Sequence, residues 1–132
     1  MTYEEGLAVA TLWQEARGSS PEGKLCVAHV IRNRMAQRYT SDGTVAGTVL
    51  RPWQFSGWMD NAVCLESLRY AATDTLGLLS IWQESETSPD PTKGAVLYYS
   101  PNAMNRPGSV PFWVASSKLT LTLPDFLFYA AN

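Results

Sequence analysis

Two helix-start signals separated by one short turn set the strongest constraint on how this chain folds. Thr2 and Glu5 have the T-x-x-E spacing of a capping box, and Gly18 stands where a glycine ends a helix. Ser20 then precedes Pro21, an arrangement typical of a second helix start, and that helix is predicted to run to about residue 38. Because only two residues separate the two predicted helices, we expect them to be close neighbours.

The rest of the chain changes from helical to extended patterns. A short helix is predicted over 44–50 and a longer helical stretch over 62–85, with a candidate break at Gly77. Residues 95–99 are predicted to form a strand, and residues 119–129 a hairpin around Pro124 and Asp125. Helices followed by strands indicate an α+β fold, mostly helical with a short C-terminal antiparallel hairpin, and we predict one domain over residues 1–132.

Charge and hydropathy argue against two classes of partner. The formal net charge is −2, and three arginines on one helical stretch, predicted to lie on a solvated face, are too few for nucleic-acid binding; they are Arg32, Arg34 and Arg38. No apolar stretch approaches the roughly 18 residues of a membrane span. The N-terminal segment has two acids and lacks the basic region of a signal peptide, so we expect cytoplasmic synthesis. Separately, we expect the protein to be a monomer.

The sequence contains few residues that could bind a metal or act as a thiol nucleophile. One histidine and two cysteines, with no C-x-x-C, H-E-x-x-H or glycine-rich phosphate motif, predict no metal site and no cofactor. Cys26 and His29 are three residues apart and share a helix face, so a thiol nucleophile with its base is one hypothesis. The simpler interpretation is that both side chains are buried in the core, and we expect Cys64 to be buried as well.

Glu15 is the carboxylate whose position fits a solvated residue least well. It lies in the last turn of the first predicted helix, at the negative end of the helix dipole. At roughly 100° per residue it falls on the edge of an apolar stripe. The stripe comprises Leu7, Ala8, Leu12 and Ala16. A half-buried carboxyl group there should hold its proton longer than a free one, as a general acid requires. The alternative is a surface acid paired with Arg17 or Lys24.

The other acids have structural interpretations, and the predicted loops are rich in aromatic and neutral polar groups. Glu22 fits the first turn of a helix, Asp60 a helix cap and Asp125 a hairpin turn. Aromatic planes can stack on sugar rings while amides and hydroxyls bond sugar hydroxyls, although Phe55 and Phe112 are more simply interpreted as core. The candidate binding residues are Gln54, Ser56, Trp58, Tyr98, Tyr99 and Asn102.

Four segments in order resemble the cell-wall hydrolase family of the spore cortex-lytic enzyme SleB, a domain that phage endolysins also use. They are residues 13–34, 44–58, 94–102 and 119–131. The resemblance implies a small lysozyme-like domain that cleaves peptidoglycan between N-acetylmuramic acid and N-acetylglucosamine, usually by lytic transglycosylation. It also implies that Glu15, the glutamate of E-A-R-G, protonates the glycosidic oxygen and then deprotonates the muramic 6-hydroxyl, which closes an anhydro ring.

Two departures and two alternatives accompany the resemblance. Family members often carry a glutamate where this chain has Ser19, and its absence mildly favours a single-acid mechanism. They also often carry a histidine where this chain has Phe126, which leaves any role of that histidine in binding open. A muramidase would hydrolyse the same bond with Glu15 and a second acid, Asp60 or Glu22. A non-catalytic glycan-binding or phage structural module would keep the fold without the chemistry. With neither an export signal nor a wall-binding module in the sequence, we expect a phage endolysin that acts on the cell wall in the periplasm after release.

Overall fold

Five α-helices precede a three-stranded antiparallel sheet in the computed structural model, which describes residues 1–132. The helices are α1 (Tyr3–Ala16), α2 (Pro21–Gln37), α3 (Ala46–Val49), α4 (Asn61–Thr73) and α5 (Leu78–Thr87). The strands are β1 (Leu97–Tyr99), β2 (Ser117–Thr122) and β3 (Leu127–Ala131), in the spatial order β1-β3-β2. Short 3-10 helices cover Ser56–Met59, Pro101–Ala103 and Phe112–Ser116. The α+β prediction is confirmed. The strand predicted over 95–99 forms β1, which pairs with β3 of the predicted hairpin. None of the helices combines the length and apolar character that crossing a membrane requires.

Both predicted helix starts are present, and the turn between them differs in one detail. The Thr2 hydroxyl accepts the Glu5 N–H while the Glu5 carboxylate accepts the Thr2 N–H, which closes the capping box. The Ser20 hydroxyl accepts a hydrogen bond at the start of α2. Gly18 directly follows the C-cap residue of α1, as predicted for a glycine that ends a helix, but its φ is not positive. Arg17 keeps a right-handed conformation after α1, and a right-handed turn needs no glycine.

The long helical stretch predicted over 62–85 is two helices joined by a sharp turn. Asp74 takes a left-handed conformation (φ 49°) at the end of α4, and Gly77 (φ 70°) precedes α5. The Asp74 carboxylate accepts the backbone N–H groups of Leu78 and Leu79, 2.7 and 3.2 Å away, and so caps α5 from outside the helix. The predicted break therefore lies at Gly77, and a preceding aspartate fixes the direction of the next helix.

The main core forms around α1. This helix contacts α2, α4 and α5, and its predicted apolar stripe is buried. Phe126 and Phe128 extend from the sheet into the same core. The helices and the sheet are therefore held together by apolar contacts on one face of the sheet.

Alternation along β1 sends two neighbouring tyrosines to opposite faces of the sheet. The Tyr98 ring packs against Phe126 and Phe128, at centroid distances of 5.4 and 5.8 Å, on the helical side. The Tyr99 ring packs against Trp113 and Tyr129, at 5.9 and 6.2 Å, in a second and smaller cluster. Because successive strand residues point to opposite faces, only the first tyrosine reaches the helices.

A group of hydrogen bonds, which we call the Asp90 staple, connects the segment before β1 to α2. The Asn33 side chain donates to the Asp90 carboxylate at 2.8 Å and to the Ala95 carbonyl at 2.9 Å. Asp90 also accepts the backbone N–H groups of Thr92 and Gly94, both at 2.8 Å. These bonds fix the place at which β1 begins relative to the middle of α2.

Replacing Asp90 with alanine is expected to lower the free energy of unfolding by about 2 kcal/mol at pH 7, because several bonds to one carboxylate are lost. Burial raises the pKa of Asp90, but the bonds from Thr92 and Asn33 outweigh it and hold the pKa below its ordinary value. A depressed carboxylate pKa stabilises above the unfolded pKa, and this contribution is lost as pH falls through the folded pKa.

Urea denaturation at pH 7 and pH 3 therefore measures a larger difference between wild type and Asp90→Ala at pH 7. The matched control is Glu66→Ala, since Glu66 is an exposed acid paired with Arg69 on the surface of α4. The control is expected to change stability by less than about 0.5 kcal/mol. Equal losses of unfolding free energy at pH 7 and pH 3 would contradict a stabilising role for the ionised Asp90 carboxylate.

Candidate active site

Glu15 is half-buried in the last turn of α1 and lines a hollow of about 460 Å³. Burial raises the pKa of its carboxyl group above the ordinary value, while the Tyr98 hydrogen bond and the charges of Arg34 and Arg17 lower it without cancelling the rise. This is the direction that its helix position predicts. We call this cavity the acid hollow; its polar lining includes Gln14, Glu15, Ser19, Ser100, Asn102 and Asp125.

Tyr98 holds one oxygen of the Glu15 carboxyl group. Its hydroxyl donates to Oε1 at 2.5 Å. Burial, together with the neighbouring acid, raises the pKa of Tyr98 well above its ordinary value, so the phenol keeps its proton and remains a donor. Because Oε1 is engaged as an acceptor, the proton of the neutral carboxyl group belongs on Oε2. The pair thus has a defined orientation before any ligand arrives.

Arg34 is buried, with 4% of its surface exposed, and its predicted place on a solvated face is wrong. Its Nε donates to the Val96 carbonyl at 2.7 Å, and its Nη1 donates to the Gln54 side-chain oxygen at 2.9 Å. The guanidinium lies 5.0 Å from the centroid of the Phe55 ring. Periodicity along α2 did not reveal this burial, because the neighbours that cover Arg34 come from distant segments.

The same prediction is wrong for Arg32 and holds for Arg38. Arg32 is half-buried and donates to the Ser85 hydroxyl at 2.6 Å and to the Trp82 carbonyl at 2.7 Å. Its guanidinium lies 3.8 Å from the Trp82 ring centroid, so it is bound to α5 rather than solvated. Only Arg38, at the end of α2, is exposed.

Tyr98 also lines a second hollow, of about 560 Å³, and half of the residues that line it are aromatic. Trp53 and Phe112 stand at its rim, 81% and 94% exposed. We call this cavity the aromatic hollow; its lining includes Arg34, Tyr39, Trp53, Gln54, Tyr98, Phe112 and Trp113. Tyr98 lines this cavity and its hydroxyl bonds to Glu15, which lines the other, so the Glu15–Tyr98 pair stands between the two hollows.

The core prediction is confirmed for Phe55, which is 2% exposed, and is wrong for Phe112. Within the 3-10 helix Phe112–Ser116 it is Trp113 and Val114 that pack against the smaller cluster. The preceding ring is therefore turned outward to the rim of the aromatic hollow. Neither this ring nor Trp53 was singled out for binding in the sequence analysis.

The predicted binding residues separate into two groups. Gln54 lines the aromatic hollow and Asn102 the acid hollow, and Tyr98 lies between the two with its hydroxyl engaged by Glu15. The remaining three line neither hollow: Ser56, Trp58 and Tyr99.

Trp58 and Tyr99 have structural contacts instead. The Trp58 Nε1–H donates to the Thr11 hydroxyl at 2.9 Å, and its ring packs on the main core. Tyr99 belongs to the cluster on the far side of the sheet. Ser56 opens the exposed end of a 3-10 helix. A sugar contact for any of the three stays a prediction that the position of the hollows does not support.

The second carboxylate of the acid hollow is Asp125, not one of the two acids predicted as partners of Glu15. Asp60 caps α4 by accepting the Val63 N–H at 3.0 Å, and Glu22 is exposed in the first turn of α2. Asp125 lines the acid hollow from the turn between β2 and β3. Its turn chemistry was recognised in the sequence, but nothing local indicated that the hairpin folds back to the end of α1.

Cys26 and His29 do not form a nucleophile and base. Burial raises the pKa of the Cys26 thiol to about 12, so the thiolate is scarce near neutral pH. His29 Nε2 lies 3.0 Å from the Ser88 hydroxyl, and Nδ1 lies 3.8 Å from Asp90. Both side chains are buried, as the simpler interpretation predicted, while Cys64 is half-buried.

Comparison with known proteins points to one family. A family model described as Cell Wall Hydrolase matches residues 18–129. The spore cortex-lytic enzyme of Oceanobacillus iheyensis is 31% identical over 96 residues, which are 73% of this chain and 32% of that protein. The enzyme of the same name from Bacillus subtilis is 27% identical over 101 residues, 76% of this chain and 30% of that protein. The chain thus spans about a third of the length of these curated relatives.

Two solved structures share the fold. The catalytic domain of the germination-specific lytic transglycosylase SleB from Bacillus anthracis superposes with a TM-score of 0.72 at 21% identity, covering 98% of this chain and 96% of that one. The catalytic domain of the Bacillus cereus SleB protein gives 0.71 at 20% identity, covering 97% and 91%. The likeness extends over nearly the whole chain and confirms the predicted fold.

Replacing Tyr98 with phenylalanine is expected to raise the pKa of Glu15 further, because a bond that favours the carboxylate form is removed. A carbon-13 NMR titration of the glutamate side-chain carboxyl groups measures this directly. Tyr99→Phe is the matched control, since it removes the same hydroxyl from the opposite face of the sheet, and it should leave the Glu15 titration unchanged. An unaltered Glu15 titration in Tyr98→Phe would show that the bond does not hold the acid in solution.

Proposed function

The chain belongs to the cell wall hydrolase family, and on that premise we propose that it is a lytic transglycosylase of peptidoglycan with Glu15 as its acid. The bond cleaved joins N-acetylmuramic acid to N-acetylglucosamine. The observation that carries the proposal is the carboxyl group of Glu15, which has a raised pKa, lines an open hollow and is oriented by Tyr98. A catalytic domain named as a lytic transglycosylase shares the fold.

The proposed reaction uses one carboxyl group twice. Protonated Glu15 donates the proton from Oε2 to the glycosidic oxygen as the bond from muramyl C1 breaks, and the N-acetylglucosamine part leaves with that proton. The Glu15 carboxylate then takes the proton of the muramyl 6-hydroxyl as O6 attacks C1. The attack closes a 1,6-anhydro ring, restores the acid and consumes no water. No second carboxylate is needed, because the nucleophile belongs to the substrate.

The charges around Glu15 suit an acid that must also act as a base. After the first step the carboxylate is stabilised by the Tyr98 hydrogen bond and by the Arg34 cation, both of which lower its pKa. Burial alone would make Glu15 a poor proton donor, since a strongly raised pKa holds the proton too firmly. The opposing effects keep the rise in the pKa smaller than burial alone would make it, which suits a group that first donates and then accepts a proton.

The two hollows supply a binding surface for a glycan strand. The aromatic hollow presents exposed rings at its rim for stacking, and the acid hollow presents hydroxyl and amide groups such as Ser100 and Asn102. Together they extend to both sides of the Glu15–Tyr98 pair, so a glycan strand can lie across the acid. The proposed place of action is the peptidoglycan layer of the wall, and release as a phage endolysin is part of the proposal, supported by the sequence resemblance.

Replacing Glu15 with glutamine is expected to lower the rate of clearing of a peptidoglycan suspension by at least about a thousandfold, because the transferable proton is lost. Turbidity measures the rate, and thermal unfolding checks the fold. A carboxyl group whose folded pKa is raised weakens the fold as pH rises above the unfolded pKa. The melting temperature at pH 7 should therefore stay equal or rise. Wild-type protein that binds walls and never clears them would support a non-catalytic module instead.

A muramidase is the second candidate, because Asp125 lines the same hollow as Glu15 and offers a carboxylate to activate water. The products separate the two reactions. Mass spectrometry of digested sacculi is expected to show muramyl ends one water lighter than ordinary reducing ends, for wild type and for Asp125→Asn alike. Reducing ends in the wild-type digest, lost together with activity in Asp125→Asn, would establish hydrolysis.

A further inference from the structure

Arg34 carries a desolvated positive charge with no carboxylate within ion-pair distance, and Glu15 acts on it only at longer range. Its hydrogen-bond acceptors are the Val96 carbonyl, the Gln54 amide oxygen and the Thr40 hydroxyl, all of them neutral. The ion pairs of the structure are His29–Asp90 and Arg69–Glu66, and Arg34 belongs to neither. A charge removed from water is costly unless an opposite charge compensates it, so this site is electrostatically incomplete.

The unused part of the guanidinium faces the aromatic hollow. Nε and Nη1 are bonded within the protein, whereas Nη2 donates to no protein group. The structure has one buried side-chain polar atom without a hydrogen-bond partner, and it is Gln14 Oε1. Nη2 has no partner either, so it cannot be buried. It therefore reaches open space, and the open space that Arg34 lines is the aromatic hollow.

A purely structural role accounts for only part of this arrangement. Bonds from Nε and Nη1 join α2 to β1 and to the loop that carries Gln54. The positive charge and the free Nη2 are not used by these bonds. Arg34 thus presents a charged donor into a partly enclosed cavity, where an ion pair is screened less than in bulk water.

We propose, resting on the function proposed above, that the aromatic hollow binds the free lactyl carboxylate of a muramyl residue from which the peptide stem has been removed. Muramic acid is the sugar of this polymer that bears a carboxyl group, and it adjoins the bond to be cleaved. In stem-bearing glycan that group is an uncharged amide, which offers Arg34 no compensating charge. The enzyme accordingly prefers denuded glycan strands over strands that carry their peptides.

The test compares two tetrasaccharides of alternating N-acetylglucosamine and N-acetylmuramic acid. One has free lactyl carboxylates, and the other has them converted to methyl amides. Calorimetric titration of the Glu15→Gln protein measures binding without cleavage. The carboxylate form is expected to bind at least about tenfold more tightly than the amide form, and added salt should reduce this ratio.

Gln54→Glu tests the assignment to Arg34 without removing the guanidinium. The new carboxylate would pair with Arg34 in place of the amide oxygen, so the ratio should fall to about one while the protein stays folded. Gln83→Glu is the matched control, because it makes the same change on α5, where it lines neither hollow, and it should keep the ratio. Wild-type binding of both forms with equal affinity, or a ratio that survives Gln54→Glu, would overturn the proposal.

These outcomes are separable from a failure of the proposed function. Anhydro products together with a ratio near one would retain the transglycosylase and remove the carboxylate site. Reducing-end products together with a tenfold ratio would remove the transglycosylase and retain the site. A preference for peptide-bearing sacculi would place the recognised anion in the stem, and so would also contradict the inference.

Discussion

The hydrogen bond from Tyr98 to Glu15 is the interaction on which the rest of the site depends. It joins β1 to the end of α1, so the sheet and the helical part meet at the acid. It orients the carboxyl group, opposes the effect of burial on its pKa, and lies between the two hollows. A solvated glutamate on the same helix would have neither the altered proton affinity nor a fixed direction.

Local rules in the sequence were enough to predict the framework and to single out Glu15 as the candidate acid. Capping residues identify the ends of α1 and α2, and the alternation around Pro124 predicts the hairpin, because both depend on neighbours within a few residues. Glu15 was selected by the same local reasoning, since an acid on the edge of an apolar stripe near a helix C-terminus fits a solvated role poorly. Such a departure from pattern can be recognised without knowing the fold.

The surroundings of the acid depend on contacts between distant segments, and these were missed. Arg34 has the spacing of a surface residue on α2, yet Val96 and Gln54 cover it. Asp125 was recognised as a turn residue, but not as part of the lining of the acid hollow. In both cases the residue type and its immediate neighbours fit a simpler role, and the assembled tertiary structure decided otherwise.

The two adjacent tyrosines of β1 make the alignment of this strand chemically ambiguous. A slip by one residue would offer Glu15 another phenol, from Tyr99, so the acid itself discriminates poorly between the native pairing and a shifted one. Discrimination falls instead to the tethers just upstream, where Asn33 holds the Ala95 carbonyl and Arg34 holds the Val96 carbonyl. Asn33 and Arg34 in the middle of α2 thus set the register of β1, and substitutions that remove these bonds would shift the strand at the edge of the sheet.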